Sequence, residues 1–494
     1  MVNTWPETVV SGKRAFWIVA AIACVVCVTT NLPWQLDDYD QAKQAFTSFE
    51  MVKQGHWLYQ HTPRGRVATK PPLVGWISAG LFEVTRSWNA AWRLPSFAAA
   101  VALSICLARA GTSAYGPLAG LVALGAFTLN LLSPRLATLV RTDMPLAFIL
   151  FLTGLLIWRH IQTNKPWVAR DRWWMFALLT GGMLIKGPIV YAFLLPGILY
   201  FQWWRRKTGV ASAWSGWWPW VASLAIFLIW AIAGIRFVPR FYDQVVLREF
   251  LGRFGETIHR PQPLYFYFPH LLHKFVPWSA LLIVFAWIGW PARKVEEGTS
   301  SPRFAPDTMW LLCWSLGGVI AMSCVPSKRL DRIFPVIPPL CLLLAAQIGH
   351  FRSNEHRSIV ARRWVAGALA FAILFTSGYT AFKVATGYRD RRDAVVEFGR
   401  LVRAEAAAHH WRYEAVAGID EGLLLYLDKT SFAEPGAAVA AWNAGNLDAL
   451  VIPAEEAGRY TPDLHGPVVA RLQSAKRAEQ GNTYVVLVRE GRGD

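Results

Sequence analysis

The 494-residue sequence is short of charge: Asp, Glu, Lys and Arg together make up 17% of it, where a typical soluble domain carries about 25%. Acidic residues are the scarcer sign, 32 against 50 Lys and Arg, which gives a formal net charge of +18. So little charge excludes a disordered chain and a string of soluble domains. Six cysteines are too few for a disulfide-rich secreted scaffold. Cys24, Cys27, Cys106, Cys313, Cys324 and Cys341 all lie within or at the ends of apolar runs, so none can staple a loop or the tail. The Cys24-x-x-Cys27 pair sits inside such a run, where packing is the expected role rather than redox or metal chemistry. No repeat of fixed period is visible, which argues against a transporter built from two related halves.

What is present is apolar surface. Hydrophobic residues reach 54%, mean hydropathy is +0.29, and 26 Trp and 28 Phe suit the aromatic belts of membrane interfaces. The composition predicts a polytopic α-helical membrane protein with about 11 to 13 transmembrane helices. The first run, Phe16 to Pro33, follows Lys13-Arg14 and is expected to be an uncleaved helix. Further spans are expected near 94–110, 117–133, 145–160, 173–186, 189–204, 217–235, 275–291, 308–325, 333–349 and 364–385, with room for two more in 217–291. The run Pro72 to Val84 is about 13 residues, nearer an interfacial segment than a span. If it does not span, the basic clusters Arg205-Arg206-Lys207, Arg293-Lys294, Arg159 with Lys165, Arg170 and Arg172, and Arg352 with Arg357, Arg362 and Arg363 share one side with Lys13-Arg14, as the positive-inside rule prefers.

The opposite side then collects the loop 34–93, the turn at Arg141-Thr142-Asp143, Lys186-Gly187-Pro188, the loop 236–274 and Ser327-Lys328-Arg329. These outer loops are themselves basic, with Lys70, Arg248, Arg253, Arg260, Lys328, Arg329 and Arg332. That exception to the charge bias fits the binding of a lipid phosphate, and the +18 charge points to anionic lipid rather than to nucleic acid. Beyond about Arg389 the pattern changes. A helix is expected over 391–409, and short strands at 414–419, 449–453 and 483–488, giving a small α/β domain over 389–494 after a membrane domain of 1–388.

The candidate chemistry lies in the outer segments. Leu36-Asp37-Asp38-Tyr39-Asp40 offers three carboxylates, each equally suited to a solvated helix start. An amphipathic helix is expected from Gln41 to Gln54, followed by Gly55-His56-Trp57 and Thr69-Lys70-Pro71-Pro72-Leu73. Asp143 reads either as a helix cap paired with Arg141 or as a functional carboxylate at the hydrocarbon edge. Lys186 reads either as a snorkelling lysine or as one aimed by the Gly-Pro turn behind it. His270-Leu-Leu-His273 has metal-ligand spacing without further ligands, so no metal site is expected there.

Taken in order, Asp40, Gly55-His-Trp57, Lys70-Pro-Pro-Leu73, Arg93-Leu-Pro-Ser96, Thr142-Asp-Met144, Lys186-Gly-Pro188, Phe275-Val-Pro-Trp278 and Ser327-Lys-Arg329 with Pro335 to Pro339 resemble the polyprenyl-phosphate-sugar glycosyltransferases. That family includes the lipid A aminoarabinose transferases and, more distantly, the protein O-mannosyltransferases, and the resemblance covers residues 16–350. Gln41 and Thr69 stand where the family commonly carries acidic residues. The resemblance implies a GT-C fold, an undecaprenyl-phosphate-linked sugar donor, an active site and tail domain on the periplasmic face of a bacterial inner membrane, and a lipid A, glycan or protein acceptor. It implies Asp40 as the catalytic carboxylate with Asp143 in support, and Lys70, Lys186, Lys328, Arg329 and Arg253 at the donor phosphate. It leaves room for a divalent cation without naming ligands. Transfer to lipid A or a related envelope glycolipid is the favoured expectation, transfer to Ser or Thr of secreted proteins the alternative, and a flippase of lipid-linked sugars the third.

Overall fold

The computed structural model describes residues 13–36, 39–206, 209–253, 261–289, 305–350, 355–416, 418, 420–477 and 482–490. Asp37, Asp38, Lys207, Arg260, Arg293, Lys294 and Arg352 lie outside the described residues. The chain forms two compact units: the first takes in residues 1–29, 69–74 and 93–380, the second residues 30–68, 75–92 and 381–494.

The chain is a polytopic helical membrane protein. Each apolar run expected to span contains a helix among the described residues. Six helices among the described residues are by themselves long and apolar enough to cross a membrane: Trp88–Tyr115, Asp143–Thr163, Trp218–Phe237, Pro306–Cys324, Leu330–His350 and Ile359–Arg389. The pair Leu264–Lys274 and Trp278–Ile288, bent by 100°, makes up to seven. The difference from eleven has plain causes. Lys13–Thr29 and Ile189–Arg205 have 17 residues and Pro117–Thr128 has 12, so at about 1.5 Å per residue they fall short of a hydrocarbon core of about 30 Å. Ala169–Lys186 starts with Arg170, Asp171 and Arg172 and ends on Lys186, which lowers its hydropathy. Leu73–Thr85 is a 13-residue helix, too short to span, as its length in the sequence implies.

Small residues let the helices of the first unit approach closely. A Cβ on Gly317 would lie 2.5 Å from the Gly197 nitrogen, and one on Gly197 would lie 2.8 Å from the Cys313 carbonyl oxygen. Gly154 leaves room for the Trp314 ring, and Trp310 donates its indole N–H to the Gly154 carbonyl at 3.1 Å. Trp278, fully buried, donates to the Leu129 carbonyl at 2.7 Å. Trp278 and Trp310 thus carry a large apolar area and still satisfy their one polar atom.

In the second unit a four-stranded mixed sheet has the order β1-β2-β4-β3, with β1 Tyr413–Ala415, β2 Ala449–Pro453, β3 Val468–Gln473 and β4 Tyr484–Arg489. β1 is parallel to β2, and β4 pairs antiparallel with both β2 and β3. β2 is buried along its whole length, as befits a central strand. β3 is absent from the sequence reading: it is an edge strand with Arg471 in it, half-exposed, and irregular in register between Ala470 and Leu472. Trp442 fills the core behind the sheet and donates to the His465 carbonyl at 3.1 Å. The helix Ala394–Ala408 precedes β1. The same unit includes the helix Tyr39–Gln54, which packs on the helix Glu421–Leu427, with Lys53 paired to Asp428 at 2.8 Å. An aromatic stack of Phe82, Trp88 and Trp92, with centroids 3.8 and 5.2 Å apart, is tied to that helix by a Trp92 indole N–H donated to Ser48 Oγ at 3.1 Å.

Candidate active site

The turn between Thr128 and Asp143 is built around Asn130. Its Nδ2 donates to the carbonyls of Ala126 and Phe127 at 2.8 and 2.7 Å, and its Oδ1 accepts from the amides of Leu132 and Ser133 at 2.8 and 2.9 Å. One side chain thus ends one helix and starts the next, a role suited to Asn. Ser96 then fixes the far end of the turn, donating to the carbonyls of Leu139 at 2.8 Å and Arg141 at 3.2 Å. The Arg93-Leu-Pro-Ser96 segment of the sequence therefore acts by holding Arg141 and Asp143 in place.

Asp143 is the first residue of its helix and is buried. Lys186 is the last residue of Ala169–Lys186, which Gly187 ends with a positive φ of 75° that glycine adopts without strain. The Lys186 ammonium and the Asp143 carboxylate form a direct ion pair. Each charge sits at the helix end whose macrodipole favours it, an acid at an N-terminus and a base at a C-terminus. Lys70 and Arg141 also act electrostatically on Asp143. Arg141, buried, donates through Nη1 to Asp331 Oδ2 at 2.5 Å, and Arg135 stands 3.8 Å from the same carboxylate. The expected capping of Asp143 by its neighbour is therefore refined: the contact cation is Lys186, and Arg141 reaches on to Asp331.

Around this turn four cations, Lys70, Arg135, Arg141 and Lys186, face two carboxylates, Asp143 and Asp331. The surplus is positive, in a region where burial magnifies each charge. Lys328 is buried in the loop before the 3-10 turn Leu330–Val336 and donates to the Gln262 carbonyl at 2.9 Å. Burial holds its ammonium below the usual lysine range. Gln262 returns a backbone N–H to the Pro326 carbonyl at 3.1 Å, which ties the two loop segments together. Arg329 is half-buried and leads into that 3-10 turn. Arg253 closes the short turn Leu251–Arg253, and its side chain lies outside the described residues.

Of the expected site residues, Lys70, Asp143, Lys186, Lys328 and Arg329 belong to the first unit. Asp40 belongs to the second, in the first turn of Tyr39–Gln54. The sequence reading missed two elements. Asp331 stands two residues after Arg329 of Ser327-Lys-Arg329, but its partner is 190 residues away. Glu50, His56 and His61 converge in the second unit, although only His56 stood in a quoted motif. The expected absence of partners for His270 and His273 concerns a different place: Glu50, His56 and His61 form the one such ligand group among the described residues.

A family profile described as dolichyl-phosphate-mannose-protein mannosyltransferase matches residues 69–235. That segment contains Lys70, Asp143 and Lys186. An undecaprenyl phosphate-alpha-4-amino-4-deoxy-L-arabinose arabinosyl transferase of Sodalis glossinidius is 27% identical over 335 residues, 64% of this chain and 55% of the relative. Its counterpart in Pseudomonas savastanoi is 27% identical over 355 residues, 70% of this chain and 63% of the relative. The matches thus span 55% and 63% of the length of those relatives. The crystal structure of ArnT from Cupriavidus metallidurans bound to undecaprenyl phosphate aligns with a TM-score of 0.71 at 18% identity, covering 97% of this chain and 99% of that one. The fold is that of ArnT, and the resemblance to polyprenyl-phosphate glycosyltransferases carried by the ordered motifs is found again in the family profile and the relatives.

Proposed function

We propose that the protein is a glycosyltransferase that moves a sugar from undecaprenyl phosphate to lipid A or a related envelope glycolipid, at the periplasmic face of a bacterial inner membrane. The observation that carries this reading is the buried Asp143–Lys186 pair with Lys70 and Arg141 acting on the same carboxylate, inside the segment matched by the family profile. Cleaving the bond between the anomeric carbon and the phosphate oxygen leaves negative charge on the departing lipid phosphate. Preorganised cations in a partly dry site stabilise that charge without reorganising as it forms. Lys70 and Lys186 supply them, with Lys328, Arg329 and Arg253 completing the donor site. Asp143 holds Lys186 in position. Asp40 acts on the acceptor, taking the proton of the attacking hydroxyl or orienting the acceptor.

Mass spectrometry of lipid A from cells lacking the gene, complemented with the wild type or with Asp40→Asn, tests this. The expected result is a sugar-sized mass increment present with the wild type and absent with the variant. The family profile's mannosyltransferase description favours a second acceptor, Ser or Thr of secreted proteins. Unchanged lipid A together with lost glycoproteins would decide for it. A flippase would leave purified protein unable to turn over donor.

A further inference from the structure

Glu50 lies near the end of the helix Tyr39–Gln54 and is 4% exposed. A carboxylate so buried needs compensation. Its Oε1 is 2.9 Å from His56 Nδ1 and 3.2 Å from His61 Nδ1, and its Oε2 accepts the backbone N–H of His61. One oxygen thus serves two imidazoles, whose rings meet edge to face at 5.6 Å. One ligand atom from each of the three residues lies within 4.8 Å of the others. While the carboxylate is buried, the imidazoles are about half and about one-third exposed, so the cluster opens to solvent on one side.

The loop that brings them together is well fixed. Gly55 takes a positive φ of 75° and lets the chain turn back immediately after the helix. Gln60 Nε2 donates to the His56 carbonyl at 2.9 Å, and Trp76 to the Trp57 carbonyl at 2.7 Å. His61 pairs with Val67 across the loop, and the amides of Thr62 and Ala68 donate to the Arg66 and Gln60 carbonyls at 2.7 Å. Both imidazoles therefore point their Nδ1 atoms at Glu50 from a loop held by hydrogen bonds of its own besides the one from the His61 amide to Glu50.

We propose that Glu50, His56 and His61 form a divalent transition-metal site, suited to zinc, which clamps the loop 55–68 to the end of the helix. Two imidazoles and one carboxylate are the donor set that zinc accepts, with a solvent molecule in the fourth position. Calcium and magnesium would require mainly oxygen ligands. Bonds of about 2.0–2.2 Å in a tetrahedron separate neighbouring ligand atoms by about 3.3–3.5 Å. The observed 2.9 and 3.2 Å become those distances through side-chain shifts of a few tenths of an ångström. The site is independent of the glycosyltransferase reading. It fixes the segment that leads in sequence to Lys70, so its occupancy is a structural matter.

The test uses the full-length protein in detergent, stripped with EDTA and titrated with Co²⁺ as a visible probe, then with Zn²⁺. The wild type is expected to bind one Co²⁺ per chain with the visible absorption of a four-coordinate ion, and one Zn²⁺ is expected to displace it. His56→Ala, a change at an exposed side chain, should weaken binding by more than about tenfold. The double variant H56A/H61A should abolish it, and Glu50→Gln should weaken it while keeping the shape of the buried site. Saturating Zn²⁺ should raise the melting temperature of the wild type and leave that of H56A/H61A unchanged. His270→Ala/His273→Ala should bind as the wild type does. The proposal is overturned if the wild type takes up no stoichiometric Co²⁺ or Zn²⁺, if H56A/H61A binds with wild-type affinity, or if the His270/His273 variant loses the ion.

Discussion

Both compact units hold buried carboxylates, and two arrangements compensate them. Fixed pairs occur in each unit, as Asp448 with Arg412 Nε at 2.9 Å shows in the second, but the candidate site and the Glu50 cluster differ. In the first, Asp143 and Asp331 each touch a cation of fixed charge, Lys186 for one and Arg141 for the other. In the second, Glu50 is met by two imidazoles and a backbone N–H, and Glu421 has Arg64 no nearer than 3.8 Å. Glu421 Oε2 is buried with no hydrogen-bond partner among the described residues. Permanent ion pairs set up a field that is the same whether or not substrate is present, which is what stabilising a departing phosphate demands. Carboxylates met by titratable or distant partners hold capacity in reserve, for a proton or a metal ion. The first arrangement suits electrostatic catalysis and the second suits a structure that responds to its surroundings.

The largest expected effect falls on Asp40, in the second unit. Asp40→Asn should lower transfer by about 10²- to 10⁴-fold, the usual contribution of a general base, with an unchanged melting temperature. Product formation from a lipid-linked donor in detergent checks it, and near-wild-type turnover would move the role to Asp37 or Asp38. Next comes the fixed pair itself. Lys186→Ala leaves Asp143 buried without its contact cation and should cost about 3–5 kcal/mol of stability. Replacing both residues with apolar ones of similar volume should restore much of the loss, read as recovery of the thermal midpoint. Should the single variant prove as stable as the wild type, the contrast between the two arrangements would collapse.

Lys70→Ala should sharpen the contrast. Losing one charge-assisted contact to the donor phosphate is worth about 1.5–3 kcal/mol, or about 10- to 150-fold in kcat/KM for the donor. The acceptor KM should hardly move, and an equal rise in both would remove Lys70 from the phosphate site.

The smallest effect lies in the second unit. Burial raises the Glu421 carboxyl above its ordinary value of 4.5, against the opposing pull of Arg64, Lys43 and Arg66. A folded-state pKa above the unfolded one means that the native protein binds the extra proton within that window. The resulting stabilisation is complete below the unfolded value and is lost as pH rises through the folded one. Melting temperatures measured upward from pH 4 should fall less for Glu421→Gln than for the wild type, and parallel curves would contradict the assignment.

Much of the membrane part was legible because hydropathy and Pro-Gly punctuation act locally. The helix Leu73–Thr85 and the turn at Lys186-Gly-Pro188 follow from length and residue type alone. Asp143 and Lys186 were each visible as candidates, yet their contact joins residues 43 apart, which no local pattern encodes. Arg141 and Asp331 are further apart still. Glu50, His56 and His61 escaped because they lie on a helix, just beyond a glycine and in a bridged loop, so no single period relates them. The strand β3 escaped because an edge strand tolerates charge and exposure that a buried strand does not. Span count was the least legible feature, since a 17-residue apolar helix and a full span differ by less than one turn.

The contact between Gly197 and Gly317 seals as well as packs. Where two helix backbones leave no room for a Cβ, there is none for an acyl chain, so the seam between Ile189–Arg205 and Pro306–Cys324 is closed to lipid at that depth.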